Sequence, residues 1–72
     1  MEKLSDKQEH DIVNYGECMM HNKMEKFKIL ESVEDFEVVN DWYDYHSTTV
    51  TAERLSTGDK YSFQYDYIHQ NV

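Results

Sequence analysis

Seventy-two residues carry fifteen acidic and seven basic side chains, a formal charge of −8 at neutral pH with histidine neutral. That field repels nucleic acid and membrane surfaces and attracts basic protein surfaces, so direct nucleic-acid or membrane binding is not expected. The length gives a single domain, residues 1–72, whose core supplies no more than about 3–5 kcal/mol of net stability, and the one cysteine, Cys18, excludes an internal disulfide.

The first ten residues hold no apolar run of the secretory type. Nowhere do about 18 apolar residues run together, as a membrane span requires. Free thiol, no leader and high acidity point to a cytoplasmic setting. Aromatic residues at 14% argue for a folded chain, since disordered segments are poor in them.

Ser5-Asp6-Lys7-Gln8 fits a capping box and opens the first element. Wound as a helix over residues 5–22, the chain gathers Ile12, Val13, Tyr15, Gly16, Met19 and Met20 on one side. His10, Asn14, Glu17, Cys18 and His21 fall on the other, an amphipathic division. Gly16 inside the apolar stripe costs about 1 kcal/mol of helix propensity relative to alanine, a cost that close approach of helix and sheet would repay.

Lys26-Phe27-Lys28-Ile29 then alternates charge with apolar residues, as a half-solvated strand does. Val33 to Tyr45 reads in two ways. As a strand it separates Phe36, Val38 and Trp42 from Asp35, Glu37 and Asp41; as a helix it starts from Ser32. Its valines and aromatics favour the strand. Residues 48–55 and 60–68 form a β-hairpin, with Gly58 supplying the positive φ of the turn. The fold class expected is α+β: an N-terminal amphipathic helix packed on a three- or four-stranded antiparallel β-sheet, connected as a meander.

Four constellations are candidates for function. His10, Glu17, Cys18 and His21 are zinc-ligand types on one helical face, but one helix cannot surround an ion, and only His46 or His69 could add imidazole. Cys18 with His21 as base lacks the electropositive setting a catalytic thiol needs. No phosphate loop, nucleophile elbow or zincin motif occurs, so no enzyme activity, catalytic residue, metal ligand or cofactor is expected. The row Tyr61, Phe63, Tyr65 and Tyr67 suits a base-stacking platform, yet without a basic surround it reads as a core face beneath Ile12, Tyr15 and Met19.

The fourth is Glu31 to His46, which holds six acids and no Lys or Arg, interleaved with large aromatics. Tyr and Trp anchor protein interfaces, so Glu34, Asp35, Glu37, Asp41, Tyr43 and Asp44 are the expected partner-binding residues. The partner expected is a basic, nucleic-acid-binding protein, held by a stoichiometric inhibitor or modulator that mimics nucleic acid, a type suited to phages and mobile elements. The alternatives are a structural or assembly subunit forming a homo-oligomer, or a metal- or redox-responsive module around Cys18. Aromatic strand edges add the expectation of a weak homodimer that tightens as salt rises.

Overall fold

The computed structural model describes residues 3–71. Its first element is the helix α1, Asp6–Tyr15, opened by the capping box: Gln8 N–H donates to Ser5 Oγ at 3.2 Å and Ser5 N–H donates to Gln8 Oε1 at 2.9 Å. Asp6 and Glu9 lie in its first turn, where the helix dipole favours them. The helix stops well short of residue 22. Gly16 takes the left-handed conformation (φ 72°) as the C-cap, and its N–H donates to Ile12 O at 3.0 Å.

Glu17–Met20 is not helix but strand β1, hairpinned to β2, Lys23–Val39. The two turn residues, His21 and Asn22, both have positive φ (50° and 64°), as a tight hairpin turn that matches strand twist requires. The alternation hidden in this short segment is real: Cys18 and Met20 are buried while Met19 points out. Cys18, expected on a solvated face, is 1% exposed and lies in the core.

β3, Tyr43–Arg54, and β4, Lys60–Gln70, complete an antiparallel sheet in the order β1-β2-β3-β4. The structure therefore has the expected α+β architecture, one helix on a four-stranded meander. The 48–55/60–68 hairpin forms as expected, closed by Gly58 at φ 78° with its N–H on Arg54 O at 2.7 Å. The ambiguous segment is strand through Val39. A turn follows in which Asn40 Oδ1 accepts from the N–H groups of Trp42 and Tyr43, each at 2.8 Å. Trp42 sits in that turn, 80% exposed, and is not the buried strand residue the alternation suggested.

The core gathers at one end of the sheet, where Leu4, Ile12, Cys18, Met20, Phe27, Ala52 and Tyr61 pack together with Phe63 against them. Phe27 and Tyr61 meet edge to face at 5.9 Å. Of the three residues expected to cover this face only Ile12 does so, since Tyr15 is 71% and Met19 50% exposed. A ten-residue helix reaches about 15 Å, against a molecule 43 Å long. The far ends of β2, β3 and β4 thus extend past any helical cover.

Gly16 was expected to lack a side chain for the sake of close packing. The backbone supplies a different reason: a Cβ there would meet only Phe27 O, at an ordinary 3.7 Å, while the positive φ disfavours any side chain. Gly16→Ala and Gly16→Leu are therefore expected to cost a similar amount, about 1–2 kcal/mol, through the left-handed backbone. Denaturant unfolding of both variants checks this, and a leucine penalty far above the alanine one would restore overpacking as the cause.

Candidate functional site

Past the core, three strands run on with a bulge in β2 between Glu34 and Phe36. Residues three apart on a regular strand face opposite ways. The extra residue, Asp35, cancels that, so Glu34 opposite Thr48 and Glu37 opposite His46 share the face that carries the helix. Val39, Asp44, Tyr65, Tyr67 and His69 belong to the same face by register. Val33, Phe36, Val38, Tyr45, Asp66 and Ile68 belong to the other.

The six expected partner-binding residues are consequently not one outward row. Glu34 and Glu37 lie on the helix face, and Asp35 accepts from Thr49 Oγ1 at 2.7 Å on the opposite face. Asp41 stands exposed in the turn, and Tyr43, 40% exposed, opens β3 beside it. Asp44 accepts from Asn71 Nδ2 at 3.0 Å, and the same amide donates to Asn40 O, which ties Asn71 to the turn. The proposed grouping of Asp35, Glu37 and Asp41 fails because the bulge flips the first and the turn removes the last.

His46, which the sequence offered only as a spare imidazole, is the hub of the helix-side face. Its Nδ1 lies 2.7 Å from Glu34 Oε1, and its ring stacks on Tyr67 at 4.6 Å and 9°. Donor atoms of Glu34, Glu37 and His46 lie within 4.8 Å of one another. Imidazole and carboxylates are ligands a divalent cation takes, but here His46 Nδ1 and Glu34 Oε1 are engaged with each other in a hydrogen bond that becomes an ion pair when the ring is protonated. The Glu34 hydrogen bond above all, with the charges of Glu37, Glu34 and Asp44, raises the His46 pKa above its ordinary value against the opposing effect of burial.

A raised folded-state pKa means that the pair's contribution to stability is complete below the ordinary histidine value of 6.5. It is lost as pH rises through the higher folded value. Titration of the His46 ring by NMR is expected to give a midpoint above 6.5, returning toward it in Glu34→Gln. An unshifted midpoint in the unaltered protein contradicts the pairing.

The opposite face is partly tied by polar contacts. Ser47, fully buried, donates to Asp66 Oδ1 at 2.8 Å and receives Gln64 Nε2. A hydrogen bond to Asp66 raises the Tyr45 pKa. Around them Val33, Phe36, Val38 and Ile68 are each at least 48% exposed, and Phe36 and Tyr45 rings touch at 5.7 Å.

Charge is segregated along the long axis. Every Lys and Arg (Lys3, Lys7, Lys23, Lys26, Lys28, Arg54 and Lys60) belongs to the helix end or its flanking loops. Some are already committed there: Arg54 pairs with Glu25 at 3.0 Å and Lys7 with Asp11 at 2.8 Å. The far end holds Glu31, Glu34, Asp35, Glu37, Asp41, Asp44 and Asp66 with neither Lys nor Arg. An open groove of about 320 Å³, lined by Val13, Asn14, Ser32, Thr48, Val50, Tyr65 and Tyr67, marks where helical cover gives way.

The cysteine–histidine set of the sequence does not assemble. His10 is on α1, within reach of Tyr65 Oη at 3.1 Å, while Glu17 and Cys18 are on β1 and His21 is in the turn beyond. Burial, then the charge of Asp11, pushes the Cys18 thiol above its ordinary pKa, the reverse of what a reactive thiolate needs. The tyrosine row divides: Tyr61 is core, Phe63 packs on it, Tyr65 meets the helix, and Tyr67 is 44% exposed beyond it.

Among the described residues no helix is long and apolar enough to cross a membrane. Comparison with protein-family models, with curated proteins and with solved structures finds no match for this chain.

Proposed function

We propose that this chain works by binding a basic macromolecule through the uncovered end of its sheet, as a stoichiometric inhibitor or modulator of a nucleic-acid-binding protein. The observation that carries this reading is the segregation of charge: exposed carboxylates without a single Lys or Arg, set among exposed Phe36, Val38, Trp42 and Tyr67, at the end the helix leaves open. Exposed apolar surface rimmed by charge is the usual character of a protein-binding site. Carboxylates beside exposed aromatic rings on each face of the sheet and in the turn offer a phosphate-binding groove both counter-charges and apolar contact area. In such a complex the acids steer the encounter, and the aromatics and valines supply most of the contact energy.

The reading is tested by kinetics with a basic nucleic-acid-binding protein retained by the immobilised chain. Its association rate is expected to fall steeply as ionic strength rises from low to physiological, because the Debye length shrinks to about 8 Å. Dissociation should change much less. Association that is indifferent to salt would show that the acidic end does not guide the partner.

A further inference from the structure

We propose that the partner presents an extended, basic segment that pairs with the outer edge of β2, adding a strand beside residues 28–39; this rests on the acidic-surface reading above. β1 occupies that edge only along Lys23–Lys26, and Gly16 O takes the N–H of Phe27 at 2.7 Å. From Lys28 to Val39 β2 pairs with β3 alone, and no strand among the described residues lies on its other side. A strand edge of this kind is a row of backbone donors and acceptors open to a further chain.

The side chains bordering the edge say which chain it accepts. Past Glu31 they are Ser32, Glu34, Glu37 and Val39 on the helix face, and Val33, Asp35, Phe36 and Val38 on the other. An incoming strand therefore fits when it alternates, with Lys or Arg toward the two glutamates and apolar residues toward Val33, Phe36 and Val38. A second copy of this chain is the poorer occupant, because its β2 itself carries Glu31, Glu34, Asp35 and Glu37 and its β4 offers no Lys or Arg past Lys60. Register breaks at Leu30 and Asp35 divide the edge into the runs 28–29, 31–34 and 36–39, so an incoming strand pairs along its length only by following the same breaks, which a long regular strand does not.

Three ten-residue peptides test the proposal on the full chain: one alternating lysine with valine, the same peptide N-methylated at every second backbone nitrogen, and one alternating glutamate with valine. Affinity is read by calorimetry and the position of contact by amide hydrogen exchange. The lysine–valine peptide should bind and slow exchange along residues 28–39 of β2, while the glutamate peptide should not bind. N-methylation, which keeps the charge but removes strand hydrogen bonds on one edge, should weaken binding at least about tenfold. Equal binding of the methylated peptide, or protection confined to β4, would overturn strand addition while leaving the acidic surface as the binding element. Failure of both lysine peptides to bind would overturn the strand proposal and count against the acidic-surface reading as well.

Discussion

Ile12→Ala is expected to leave this protein largely unfolded. Ile12 is fully buried, the residue of α1 that reaches the centre of the core formed by Cys18, Met20, Phe27, Ala52 and Tyr61. Truncating a buried isoleucine to alanine costs about 2–5 kcal/mol in lost transfer energy and residual cavity. A core of this size supplies about 3–5 kcal/mol in total, so the loss consumes most of it. Ile68→Ala removes the same atoms from a residue 62% exposed at the far end and should change stability by less than about 0.5 kcal/mol. Urea unfolding followed by circular dichroism reads both. Equal penalties would mean that the core is not confined to the helix end.

Much of this fold was legible because its signals are local. The capping box at Ser5 and Gln8, the alternation from Tyr61 to Tyr67 and the Gly58 turn each depend on neighbouring residues, and each appears where the chain spells it. The end of α1 did not read correctly, because continuing the 3.6-residue period through Gly16 gave a plausible apolar stripe. The glycine stands there as a left-handed cap, and β1 after it is too short for its alternation to outweigh the helical pattern. His21-Asn22 as a turn lacks the glycine that usually announces one, although asparagine tolerates positive φ.

The candidate surface was legible as composition and not as geometry. Glu31 to His46 stood out as acid and aromatic, but which carboxylates share a face depends on one inserted residue, Asp35, whose bulge exists only in relation to β3. Trp42 looked buried because alternation was carried across a turn whose anchor is the Asn40 side chain. His46 gains its place from Tyr67, 21 positions away on β4, a pairing that strand register alone reveals. That the far end has no helical cover follows from helix length, and α1 is shorter than its sequence pattern implied.

Charge reversal at one end of the molecule or the other shows which end holds the partner. Glu37 and Asp41, both exposed, lie at the far end; Asp6 and Glu17 lie at the helix end. Changing either pair to lysine moves the formal charge from −8 to −4, so the two variants differ in where the charge is removed and not in how much. Glu37→Lys with Asp41→Lys should leave the fold intact, since exposed charges alter stability by less than about 0.5 kcal/mol each. Asp6→Lys costs about 0.3–1 kcal/mol at the helix N-terminus, which unfolding curves will register separately. The measurement is the affinity of each variant for a basic nucleic-acid-binding partner, with nucleic acid as competitor. The far-end variant should bind more than about a hundredfold more weakly, as loss of close charge pairs does, and should no longer displace nucleic acid, while the helix-end variant keeps both properties. Equal weakening of the two variants, or undiminished binding by the far-end one, would contradict the assignment of partner binding to the uncovered end of the sheet.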